Sequence, residues 1–328
     1  MKAVLCAVAV LACLPVSLRA GVYVPGEPPL FEVGEDGVAL PLDFEQFKFE
    51  LDRARAAMIT DPPNEVRPAA LERIDELADD PERVGERTAL MIRVGDMTAA
   101  LEQLGPAARQ RRVAFPIYSH LAWAHFLSGQ LPEAYSAHSL ARDNFPREIE
   151  GYSSEQVGWY RGLEGGPVKQ LMRSRRSDDD GLDRIFEEDI PLFSEGAEYK
   201  VGPEDGLKTL GFRKDAIAVV QQLVLWAPTD TRLYWQLGEL YNADGNPKAA
   251  HTILDECTNA RGYQNADLRD HRRILSKHIA DQSDAVAQSS GFWPEGPRLW
   301  IVLSVAGVII SALLIWQGRL IWKGVAGG

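Results

Sequence analysis

One spacing recurs along this chain and leaves little freedom in how it folds. Tyr118, Leu121, Ala122, His125, Gly129, Ala134, His138, Ala141 and Pro146 are matched, at identical offsets, by Tyr234, Leu237, Gly238, Tyr241, Gly245, Ala250, Leu254, Cys257 and Gly262. The first three bulky positions stand at i, i+3 and i+7, one face of a helix. The glycine just beyond them ends that helix, because positive φ is cheap only for glycine. Small residues on the two facing helices let their backbones approach closely, and Pro146 stops the second helix. Each stretch therefore predicts two helices folded back on one another. Cys257 stands where the other stretch has alanine, and packs as a small apolar residue.

Weaker copies of the pattern lie one period upstream of each stretch. Residues 81–114 supply Met91, Gly95, Ala100, Leu104 and Ala107, with Arg87 departing from the apolar rule. Residues 197–230 supply Leu207, Gly211, Ala216, Val220 and Pro228, with Pro203 and Gly206 shortening the first helix. Two tandem pairs result, 81–148 and 197–264. The pattern resembles the tetratricopeptide repeat (TPR), whose period is about 34 residues. His125 and His138 replace bulky residues that should face each other across their hairpin. They are expected to form a packed polar pair, since two histidines alone make a weak metal site.

The resemblance implies an all-α chain with a TPR-like helical-hairpin solenoid, and other helices surround it. Residues 21–80 read as an extended segment followed by helices over 42–59 and 65–78, ended by Pro62-Pro63 and by Asp79-Asp80-Pro81. Residues 265–283 read as a polar capping helix, which solenoids need at their ends. Residues 149–196 fit no repeat and read as an irregular insert that includes one helix. The run Asp178-Asp179-Asp180-Gly181 lacks the alternating ligand spacing of a calcium loop and reads as solvated.

Both ends are addressed to a membrane. Lys2, the apolar run 3–14, Pro15 and the small Ala20 have the layout of a signal peptide over 1–20. Val10-Leu11-Ala12-Cys13 offers a second processing route, with Cys13 acylated. Cleavage after Ala20 removes Lys2 and Arg19 and carries the formal charge from −12 to −14. It also leaves Cys257 as the only thiol, so an internal disulfide in the mature chain is excluded. Residues 284–297 read as a tether and 298–318 as a transmembrane helix with no charge between Leu299 and Trp316. Trp293, Trp300, Trp316 and Trp322 sit near its ends as interfacial anchors do. Arg319 and Lys323 place the short tail 319–328 in the cytoplasm and the bulk of the chain, single-pass, on the periplasmic or cell-surface side.

The acidic balance, 47 acidic against 35 basic residues, argues against a nucleic-acid face. No nucleophile elbow, zinc-binding HExxH, phosphate loop or CxxC pair is present, so the chain reads as non-enzymatic, with no cofactor, metal or catalytic residue. TPR arrays bind peptides or proteins along a concave face. The resemblance places Ile92, Arg93, Ser119, Trp123, Phe126, Leu127, Arg232, Trp235, Glu239 and Asn242 on that face. Tryptophans and phenylalanine there suit anchoring of a partner. The alternative place for Trp123 and Trp235 is between repeats or under the insert. The carboxylate clamp of chaperone-binding TPR domains is absent: Ser119 and Trp235, Trp123 and Glu239 occupy its positions. The expectation is thus a membrane-tethered extracytoplasmic adaptor. An assembly factor for secretion or cytochrome c maturation and a self-associating envelope protein are the other two readings.

Overall fold

Three helix-to-helix turns in this protein are built alike. Val94-Gly95-Asp96, Ser128-Gly129-Gln130 and Asp244-Gly245-Asn246 each join two helices, and the glycines hold φ of 82°, 74° and 79°. In each turn the residue after the glycine donates its N–H to the carbonyl five residues back: Asp96 to Met91, Gln130 to His125 and Asn246 to Tyr241. The glycine itself donates to Ile92, Phe126 or Asn242. This is the helix-ending motif in which a left-handed residue lets two amides satisfy the last free carbonyls. Asp96 and Asn246 then cap the next helix by accepting from the amides of Ala99 and Ala249.

The computed structural model describes residues 22–24, 27–60, 65–110, 113–176, 181–186, 199–202, 207 and 212–290. The expected leader, transmembrane helix and tail lie outside those residues, as do the aspartates 178–180. The described chain is all-α: twelve α-helices and no strand, with one isolated antiparallel bridge between Val33 and Ala39. The helices are α1 (Phe44–Met58), α2 (Val66–Glu76), α3 (Val84–Arg93), α4 (Met97–Ala107), α5 (Phe115–Leu127) and α6 (Leu131–Asp143). There follow α7 (Ser154–Leu163), α8 (Lys169–Ser174), α9 (Ala216–Trp226), α10 (Thr231–Ala243), α11 (Pro247–Asp255) and α12 (Ala266–Ser290). Among the described residues no helix is long and apolar enough to cross a membrane.

The chain divides into two units, residues 1–275 and 276–328. In the first, α3 packs on α4, α5 on α6 and α10 on α11, with α4 also packing on α5 and α9 on α10. The close approaches fall at the small residues. Ala100, Ala122, Ala134 and Ala250 are fully buried, and a Cβ on Gly238 would stand 2.3 Å from Leu254 Cδ1. Helix α1 packs on α2, α3 and α9, so it joins early and late parts of the sequence. Its Lys48 and Arg55 reach Glu256 at 2.7 and 2.5 Å, and Tyr234 donates to the same carboxylate at 2.9 Å. Burial would raise the Glu256 carboxyl, but Lys48 and Arg55 together pull it below the ordinary range.

Residues 149–196, expected to be irregular, carry α7 and α8, joined through a wide turn over Glu164–Val168. Pro167 lies inside that turn; it lacks the N–H that a regular helix would use, and the wider pitch accommodates it. The second unit is described only as the continuation of α12 to Ser290, past the expected helix end at 283.

Candidate functional site

The residues expected to line an open groove lie inside the fold. Ile92, Arg93, Ser119, Trp123, Phe126, Trp235, Glu239 and Asn242 are all buried, and Leu127 and Arg232 are half-buried. The physical reason is area. Taking an indole out of water removes roughly 200 Å² and is worth on the order of 5 kcal/mol, a gain that bare tryptophans would forgo. The chain supplies its own cover, in three extended segments.

The first cover is residues 22–24 and 27–31. Val22 and Phe31 are fully buried, and Tyr23 sits among Phe115, Tyr160 and Trp226 at ring separations of 5.0, 5.4 and 5.2 Å. Helices α3 and α5 hold its main chain. The Arg93 guanidinium donates to the Val22 carbonyl at 2.9 Å and forks onto the Glu27 carboxylate at 2.9 and 2.8 Å. His120 Nε2 donates to the Tyr23 carbonyl at 2.7 Å, which assigns the proton to that nitrogen. Burial, with Arg93 nearby, drops the His120 pKa to about 4, so the ring is neutral. Further along, Gln156 donates to the Phe31 carbonyl, and Gln221 brackets Leu42 by accepting from its N–H and donating to its carbonyl, both at 2.9 Å. Trp123 lies behind this layer against Phe126 and Trp226, at 5.4 and 5.2 Å. It thereby joins α5 to α9, and among the described residues no acceptor meets its indole N–H.

The second cover is residues 181–186. The wholly buried Asp183 carboxylate takes two hydrogen bonds of 2.6 Å from Arg175 and lies 3.1 Å from Arg232. Gln236 donates to the Asp183 carbonyl at 3.0 Å. Burial raises the Asp183 pKa, and Arg175 and Arg232 oppose the rise.

The third cover is residues 199–202, and here Trp235, Glu239 and Asn242 act together. The Trp235 indole and His271 Nδ1 both donate to Glu239 Oε1 at 2.7 Å. The Tyr199 hydroxyl donates to Glu239 Oε2 at 2.9 Å, and the Tyr199 ring lies flat on the His271 imidazole at 3.8 Å. Burial and then the Glu239 charge push the Tyr199 phenol far above its ordinary pKa, so it stays a donor. Asn242 donates to the Lys200 carbonyl at 2.9 Å and accepts from the Gly202 N–H at 3.1 Å.

The two histidines expected to pair do not meet. His138 contacts Glu164 at 2.9 Å, both fully buried, and His125 contacts Gln130 at 2.5 Å. A buried carboxylate from the 164–168 turn is the stronger partner for a buried imidazole. Cys257 is buried as expected, and burial with the adjacent Glu256 raises its thiol pKa well above the ordinary range. Among the described residues no cluster of three histidine, cysteine or carboxylate side chains is placed to hold a metal.

The sequence analysis singled out Arg93 and Asn242, as groove residues, but not His120, Gln156, Gln221 or Gln236, which likewise hydrogen-bond the main chain. The signal was present in α9, where Gln221 and Gln222 interrupt an otherwise wholly apolar helix. Inside such a helix an amide is expensive unless it is bonded, so it points to a main-chain partner. No protein-family model matches the chain, and no curated protein matches it.

Proposed function

We propose that this chain is a non-enzymatic, TPR-like adaptor, tethered to a membrane by its C-terminal helix after removal of an N-terminal signal, with its helical array on the extracytoplasmic side. Its task is to hold a protein or peptide partner in extended form. One observation carries the reading. The buried sides of α3, α5, α9 and α10 grip extended chain through main-chain hydrogen bonds from Arg93, His120, Gln221 and Asn242. Side chains that bind main chain accept many sequences, as a peptide groove must. The three matching turns at Gly95, Gly129 and Gly245 support the repeat architecture of the array.

The test is site-specific photo-crosslinking in cells. A photoreactive residue replaces Lys200, exposed beside the Asn242 clamp, or Leu140, exposed on α6. The adaptor reading expects a single heterologous product from the Lys200 position and none from Leu140. Products made only of this chain, or identical products from both positions, would reject it.

A further inference from the structure

The cover at 199–202 is built differently from the other two. Val22, Phe31 and Asp183 are fully or nearly fully buried, as parts of a core are. Tyr199, Val201 and Gly202 are only half-buried and Lys200 is exposed, whereas Trp235, Glu239 and Asn242 beneath them are buried. A fully formed receptor surface therefore carries a shallow tenant. Glu239 is oriented from below by Trp235 and His271 through one oxygen, which leaves Oε2 for the phenol. Asn242, one turn further on, takes one carbonyl and one amide of the tenant. Among the described residues no hydrogen bond reaches the side chain of Lys200, and that of Val201 has no polar atom to offer. The two positions with stated requirements are the first and the fourth. The first needs an aromatic ring with a hydroxyl. The fourth holds φ of 54°, a left-handed conformation that glycine adopts without strain and other side chains adopt only at a cost, so glycine fits best.

We infer that the surface formed by Trp235, Glu239, Asn242 and His271 is a binding site for an extended partner segment of the form Tyr-x-x-Gly, with the chain's own Tyr199-Lys200-Val201-Gly202 as its resident occupant. This rests on the adaptor reading and gives the partner a chemistry. The resident segment is tethered, so it competes at the millimolar effective concentration of an intramolecular ligand. A partner segment replaces it by making the same contacts and adding others outside the slot. The residues between the two anchors are read only through their main chain, so they vary freely.

The experiment weakens the resident and supplies the ligand in trans. The full-length Tyr199→Ala protein, in detergent, is titrated with a fluorescent peptide of residues 198–203, Glu-Tyr-Lys-Val-Gly-Pro. The variant is expected to bind the peptide at least about tenfold more tightly than the wild-type protein, because the tethered competitor is lost. Its melting temperature should rise toward the wild-type value as the peptide fills the slot. A peptide with phenylalanine for tyrosine should bind about tenfold or more weakly, since it leaves Glu239 Oε2 unmatched. Adding Asn242→Ala should weaken binding of the tyrosine peptide similarly. If Tyr199→Ala does not fold, Tyr199→Phe, which keeps the ring on His271, takes its place in the same titration. Absence of binding to a folded variant, or equal binding of the tyrosine and phenylalanine peptides, overturns the inference. A slot that binds peptide in a protein that crosslinks no partner keeps this inference and rejects the adaptor. A crosslinked partner with no peptide binding does the reverse.

Discussion

The indole N–H of Trp235 donates to the carboxylate of Glu239, one turn further along the same helix, at 2.7 Å. Both side chains belong to the face expected to meet a ligand. They are instead turned toward each other and sealed in, with Tyr199 and His271 as further donors to the same carboxylate. Replacing Glu239 by leucine strands those donors in a buried space. Urea unfolding followed by circular dichroism should show a loss of about 3 kcal/mol for Glu239→Leu, and about 1 kcal/mol for Glu239→Gln, which keeps an acceptor. Equal losses for the two variants would mean that volume, and not hydrogen bonding, sets the role of Glu239.

Two glycines on helices give opposite expectations. A Cβ on Gly238 would meet Leu254 at 2.3 Å and Ile253 Cγ2 at 3.0 Å, whereas a Cβ on Gly158 meets nothing within 4 Å. Gly238→Ala should destabilise the protein by about 1–3 kcal/mol through forced separation of α10 and α11. Gly158→Ala should stabilise it by roughly 0.5–1 kcal/mol, since it removes the entropy cost of a helical glycine. Thermal melts of the two variants read the sign directly. A neutral Gly238→Ala would show that the two helices can part freely.

The buried His120 makes stability depend on pH in a defined direction. Its pKa is about 4 in the fold against an ordinary 6.5. Between those values the unfolded chain binds a proton that the folded chain does not, so stability falls as pH is lowered from 6.5 toward about 4. The slope from this one group reaches at most about 1.4 kcal/mol per pH unit. His120→Gln, which can still donate to the Tyr23 carbonyl, should flatten the dependence of the unfolding midpoint over that window. An unchanged slope would assign the acid sensitivity elsewhere.

The Arg93 fork pins the start of the described chain to α3. Arg93→Ala leaves the Glu27 carboxylate and the Val22 carbonyl without their partner and should cost about 3 kcal/mol. Arg93→Lys should recover less than half of that, because a single ammonium cannot reproduce a planar fork. Limited proteolysis gives an independent readout, with the first cut in Arg93→Ala moving into residues 22–31. Cutting first at another site would separate Arg93 from the anchoring of this segment.

How much of this was legible in the sequence follows from the range of each interaction. Gly95, Gly129 and Gly245 announce their turns because positive φ and the capping amides are decided within six residues. Asp43, Asp96 and Asn246 cap helix starts through contacts that are equally local. Residues 42–59 read as a helix, and α1 runs from Phe44 to Met58. The helical content of 149–174 was harder to see, since Gly165-Gly166-Pro167 reads as a breaker and the fold absorbs it in one wide turn. His138 was matched to the wrong neighbour because its partner, Glu164, arrives from outside the hairpin.

By itself the sequence determined the helical hairpins at 84–107, 115–143 and 231–255, their turns and the side of each helix that carries aromatic, amide and charged groups. All three follow from contacts between residues close in the chain, where spacing and chemistry suffice. What lies on those faces was decided only in three dimensions. Arg93 meets Glu27, Gln221 meets Leu42 and Asn242 meets Lys200 across 66, 179 and 42 residues. A main-chain carbonyl is the same at every position, so no residue identity marks which segment an amide will bind. Only the folded path of the chain brings 22–24, 27–31, 181–186 and 199–202 over these faces and buries residues expected to line a groove.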